Sequence, residues 1–232
     1  MTTHAGIGRG DRSWAAVAAL ALLLAMFAIA ATLSAPPARS QGESGGRFLG
    51  VASCAGSTCH GRSEGNGAIV RQDEIASWQE PSSASGAHSR AYSVLASRRG
   101  RQIAQSLGLG AATSAPACLG CHATYVPQSR RGARFHTSDG VGCESCHGAA
   151  EGWLQVHYEK GASHASNVRA GLVPLQDPQV RAKVCLDCHY GSTKTGQFVT
   201  HSMMAAGHPR ISFELDLFSA LQQHHDEDAD YV

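Results

Sequence analysis

Eight cysteines stand in four pairs, and a histidine closes every pair: Cys54-Ala-Gly-Ser-Thr-Cys59-His60, Cys118-Leu-Gly-Cys121-His122, Cys143-Glu-Ser-Cys146-His147 and Cys185-Leu-Asp-Cys188-His189. No cysteine is left over. In three of them the residues sit at i, i+3 and i+4, which share one face of a helical turn, so two thiols and an imidazole address a single object. This spacing is the signature for covalent haem attachment: the thiols add to the two vinyl groups of the porphyrin and the imidazole reaches the iron. The first pair has four intervening residues. Positions i and i+5 diverge by about 140° on a regular helix, so an irregular backbone is expected there, with Gly56 supplying it.

Two other chemistries use such residues. An exported chain places cysteines in an oxidising compartment where disulfides are the default, and Cys/His sets also bind zinc or act as redox pairs. Zinc needs ligands in sets of four, whereas here every pair carries its own adjacent histidine, four times over. Four covalent haems are therefore expected, with Cys54, Cys59, Cys118, Cys121, Cys143, Cys146, Cys185 and Cys188 as attachment points. His60, His122, His147 and His189 are the proximal iron ligands.

Composition agrees. Aromatic residues are 6% and charged residues 16%, with 26 glycines, too little bulky apolar material for a conventional core. The 192 residues from Gln41 to Val232 leave about 48 for each haem, so the macrocycles themselves would fill the interior. Haem insertion would then be inseparable from folding, as for structural metals. A net charge of +1 gives no reason to expect a nucleic-acid partner.

Residues 1–40 read as a signal peptide. Arg9 and Arg12 precede an apolar run from Ala15 to Leu33, and Ala38-Arg39-Ser40 has the small-x-small form of a cleavage site. The alternative is an uncleaved anchor, since about nineteen apolar residues just span a bilayer. Either way residues 41–232, a single tetrahaem domain, are expected outside the cytoplasm, in the periplasm, with a membrane attachment only if the N-terminal helix is retained. Motif starts at 54, 118, 143 and 185 lie 64, 25 and 42 residues apart, so no fixed-period repeat organises the domain.

Helical patterns run from about His88 to Leu107, ending at Gly108 and Gly110, and from Cys143 to Lys160, ending at Gly161. Asp177-Pro178 is a helix start that leads into Cys185. Thr200 to Ala206 and Arg210 to Gln223 also read as helical, split at Gly207-His208-Pro209. Strand signals are few. The expected fold is mainly α with long loops, wrapped around the haems.

Each iron has a sixth position that a strong-field histidine or methionine can fill. Only Met203 and Met204 follow the leader, so histidine ligation is favoured. His88, His157, His201 and His208 are the leading distal candidates, with His136 and His164 behind them. His157 lies ten residues after His147, which on one continuous helix leaves it about 80° off that direction, so it would serve a neighbouring haem. His201 and His208, two helical turns apart, could address two irons. His224 and His225 stand in an acidic tail, and His4 in the leader.

With these residues in view the chain resembles the tetrahaem cytochrome c-554 family. The resemblance spans roughly residues 50–221. It rests on Val51-Ala-Ser-Cys54 with Cys59-His60-Gly61, on Trp78 followed by His88-Ser-Arg-Ala-Tyr92, and on Cys118 to His122. It continues through Gly140-Val-Gly-Cys143-Glu-Ser-Cys146-His147-Gly148 with Trp153 and His157, and Cys185 to His189 with Ala206-Gly-His208-Pro-Arg and Phe213. The resemblance implies near-contact haems in parallel and perpendicular pairs, mostly ligated by two histidines, with one iron five-coordinate. It also implies an electron carrier of the kind that accepts from hydroxylamine oxidoreductase. The expanded first motif departs from the family pattern.

The expected function is electron transfer between a donor and an acceptor redox protein at low potential, because histidine pairs hold iron lower than a methionine–histidine pair does. The alternative is reduction of a small nitrogen species at an open iron. Against it, no Cys-x-x-Cys-Lys motif is present, and no tyrosine stands out as a haem cross-link. A haem-based sensor, or a subunit of a membrane-bound redox complex, is a third reading.

Overall fold

Glycines and prolines cut the chain into short helices joined by turns. The structure, a computed structural model, describes residues 45–65, 70–82 and 86–221, all within one unit, Gln41–Val232. The leader, His4, His224, His225 and the acidic tail lie outside the described residues. Nine α-helices are described: α1 Glu74–Gln79, α2 Ala87–Arg90, α3 Arg98–Ser106, α4 Pro116–His122, α5 Cys143–His147, α6 His164–Arg169, α7 Pro178–His189, α8 His201–Ala205 and α9 Leu215–Leu221. Extended pairing among the described residues is limited to two isolated bridges, Phe48 with Arg131 and Ser192 with Gln197. None of the described helices is long and apolar enough to cross a membrane.

Local chemistry explains the starts. Asp177 caps α7 by accepting from the Gln179 amide at 2.8 Å, with Pro178 at the first helical position. Thr200 caps α8 through the Met203 amide. Ser97 caps α3 through Gly100, and this cap divides the segment expected as one helix from His88 to Leu107. That segment is instead α2, a 3₁₀ turn at Ser93–Ala96 and α3. The helix expected over Cys143 to Lys160 is likewise corrected. It stops at His147 because Gly148 takes φ 81, a left-handed conformation that ends helices, and only a 3₁₀ turn at Val156–Tyr158 follows. The helix expected from Arg210 begins at Leu215, where the Glu214 carboxylate accepts from the amides of Asp216 and Leu217.

The apolar core is small. Leu95, Ala104, Ala112, Leu119 and Ala123 form the buried cluster, with Tyr92, Leu109 and Cys118 packed against it. No large side chain among the described residues is fully buried. Elsewhere polar groups hold the chain. The buried Glu144 carboxylate, inside the third motif, accepts from the amides of Leu49 at 2.8 Å, Gly50 at 2.7 Å and Ala150 at 2.7 Å. It thereby fastens the lead-in to the first motif onto α5. Thr124 Oγ1 accepts from the Gly142 amide at 3.0 Å just before α5 begins, and its hydroxyl lies 2.6 Å from that of Ser145.

Candidate haem-binding site

The three Cys-x-x-Cys-His motifs are built alike: each lies on a helix, and its histidine is the last helical residue of α4, α5 or α7. Both cysteines of a pair therefore sit one turn apart, next to the imidazole that follows them. The first motif is a run of turns instead. A 3₁₀ turn at Val51–Ser53 ends at Cys54, the Cys59 amide donates to Gly56 O at 2.8 Å, and the His60 amide donates to Cys54 O at 3.2 Å. Gly56 carries no positive φ. The residue that must be glycine here is Gly61, because a Cβ there would overlap the Ala55 carbonyl.

All eight thiols are unbridged, and thiols of different motifs meet. Cys54 donates to Cys143, which raises the Cys54 thiol pKa and lowers that of Cys143. Cys188 and Cys121 form a second such pair, Cys188 raised and Cys121 lowered. Burial pushes Cys146 up to about 12, with Cys185 beside it adding to the shift. The motifs therefore neighbour one another in the order first, third, fourth, second.

Three motif histidines each face a histidine from outside the motifs. His60 and His157 have ring centres 6.2 Å apart with planes 10° from parallel. His122 and His208 are 6.2 Å apart at 77°, and His189 and His88 are 6.1 Å apart at 65°. Metal–imidazole bonds of about 2.0–2.1 Å, with each ring centre roughly 1.2 Å behind its nitrogen, put two imidazoles on opposite sides of one metal roughly 6.4 Å apart. The three separations fit that value.

Hydrogen bonding prepares the same nitrogens. Nδ1 of His122 donates to Ala91 O at 2.7 Å, Nδ1 of His208 to Pro209 O at 2.7 Å, and Nδ1 of His157 to Leu154 O. His60 Nδ1 lies 2.9 Å from Glu74 Oε2. With Nδ1 occupied, Nε2 keeps its lone pair for a metal. Burial lowers the pKa of His122 and of His189, which favours their neutral forms.

Local structure aims the rings that face the motif histidines. Gly207 has φ 104, and the His208 amide donates back to Met203 O at 2.9 Å, closing α8 and turning His208 out of the helix. His157 packs edge-on against Trp153, ring centres 5.4 Å apart. Phe213 lies 4.5 Å from His189 in a nearly parallel stack. The Trp153 indole N–H is buried and has no hydrogen-bond partner among the described residues. A buried donor beside a paired imidazole fits a group that carries carboxylates, as haem does.

His201 is exposed at the head of α8 and is not brought to any of these three pairs. α8 ends at Ala205, so His201 and His208 do not share a helix. His136 and His164 are exposed, and Asp139 lies near His136. His147 closes α5 and is half-buried. Among the described residues no group of three or more His, Cys, Asp or Glu forms a separate metal cluster. Glu74 had no signal as a site residue: it reaches His60 across turns, with no helix joining the two.

Helix-borne thiol pairs, each followed by an imidazole, define a c-type cytochrome, an electron-transport protein with covalently bound haem. Residues 53–148 match the family described as cytochrome c554 and c-prime. No curated protein and no solved structure matches the chain.

Proposed function

We propose that the chain is an exported tetrahaem electron carrier working between two redox proteins outside the cytoplasm. The observation that supports it best is the set of three histidine pairs at 6.1–6.2 Å, each joining one motif histidine to one from elsewhere. Bound haem supplies a one-electron couple. His60 with His157, His122 with His208, and His189 with His88 would hold three irons from both sides, leaving no open position there for a substrate. His147 and the Cys143–Cys146 pair would carry the fourth haem. The nearness of Cys54 to Cys143, of Cys146 to Cys185 and of Cys188 to Cys121 would let electrons pass between haems on successive motifs.

Export is supported by the basic start, apolar run and small-x-small site of residues 1–40. The paired ligands favour low potentials, suited to a carrier that hands electrons on. The mass of the purified mature protein, with its reduced absorbance spectrum, tests this reading. Four haems per chain and no methionine–iron band are expected, while fewer than three haems, or a colourless chain, would contradict it.

A further inference from the structure

The outer nitrogen of His60 meets a different kind of partner from those of His122, His157 and His208. His122, His157 and His208 give Nδ1 to neutral main-chain carbonyls, whereas His60 Nδ1 faces the Glu74 carboxylate at 2.9 Å. Glu74 opens α1, and its side chain is 8% exposed. We propose that Glu74 is a positioning residue that lowers the reduction potential of the haem held by His60. The proposal rests on the reading of His60 and His157 as ligands to one iron.

The surroundings hold this carboxylate in place. Its second oxygen accepts from the Gln72 amide at 3.0 Å. Gln72 has φ 70 and is the one non-glycine residue with positive φ among the described residues, a conformation non-glycine residues adopt uncommonly. Its carbonyl accepts from the Arg62 amide, and the Ile75 amide donates to His60 O at 3.0 Å. Two backbone links thus tie α1 and its approach to the segment that carries His60. A strained residue that presents its N–H to a buried carboxylate two positions on is what holding that charge requires.

The physical consequence follows from charge. A carboxylate draws the Nδ1 proton toward itself and gives the imidazole anionic character, which strengthens its donation to the metal. Burial keeps solvent from screening that charge. The ferric iron carries one more positive charge than the ferrous iron, so it is stabilised more and the potential falls. Carbonyl partners act in the same direction more weakly.

The near-parallel planes of His60 and His157, against the crossed planes of the other two pairs, make this haem separately visible. Parallel imidazoles give a low-spin ferric iron a rhombic paramagnetic-resonance signal, whereas crossed ones give a single feature at large apparent g. The test is a potentiometric titration of the haem-loaded protein followed by that signal, in wild type, Glu74→Gln and Glu74→Asp. Glu74→Gln keeps an oxygen acceptor and removes the charge. It should raise the rhombic haem's reduction equilibrium about tenfold, ~59 mV for one electron, and leave the crossed-plane haems unmoved. Glu74→Asp, which keeps the charge, should restore most of the wild-type value.

A shift below threefold in Glu74→Gln, an equal shift at every haem, or an equal shift in Glu74→Asp would overturn the proposal. Should Glu74→Gln fail to load haem, the wild-type titration decides: the rhombic haem must be the lowest of the three low-spin ones, and any other order overturns it. Absence of a rhombic low-spin signal from wild type would instead overturn the ligand reading itself.

Discussion

The surroundings of the first and second motifs are held together by different physics. Near His60 the chain is fixed by buried carboxylates: Glu74 on the imidazole and Glu144 on the amides of Leu49 and Gly50. Near His122 it is fixed by apolar packing, with Leu119 of the motif helix inside the cluster of Leu95, Ala104, Ala112 and Ala123. The motif architectures match this division. A regular helix such as α4 satisfies its own backbone and needs only a face to bury. The turns around Cys54 leave amides that require outside acceptors. The expanded spacing is therefore accommodated by charge, and the regular spacing by packing.

Breaking Glu144 should have the largest effect. Its carboxylate takes three amide hydrogen bonds, each worth about 1.5–3 kcal/mol when one partner is charged, so Glu144→Ala should destabilise by about 4 kcal/mol or more. Glu144→Gln should recover only part, because one oxygen becomes a donor facing donors. Leu119→Ala should follow at about 3 kcal/mol, the middle of the range for buried leucine truncations, while Leu119→Met should stay within about 1.5 kcal/mol. Thermal unfolding of the haem-loaded proteins reads all four. If Glu144→Gln were as harmless as Leu119→Met, the contrast between the two regions would fail.

Much of this was legible in the residues themselves. The four motifs, the Asp177-Pro178 start, the Thr200 start and the scarcity of strands follow from spacing and capping chemistry, which are local. Two kinds of feature were not. Helix lengths were overestimated wherever one glycine or one cap decided the matter: Gly148 ends α5 and Ser97 opens α3, against apolar patterns that run on past both. Pairings across the chain were hidden too. His157 meets His60 because a turn follows Gly148, and the helical-angle argument from His147 does not apply to it. Glu74 reaches His60 through a strained turn at Gln72, and strain leaves no periodic trace.

Low-temperature paramagnetic resonance of the oxidised, haem-loaded protein tests directly whether imidazoles from outside the motifs face motif imidazoles across a metal. At least three low-spin ferric irons per chain are expected, one rhombic and two of the large-g kind. A spectrum dominated by high-spin iron, or one in which all low-spin signals share a single shape, would contradict it.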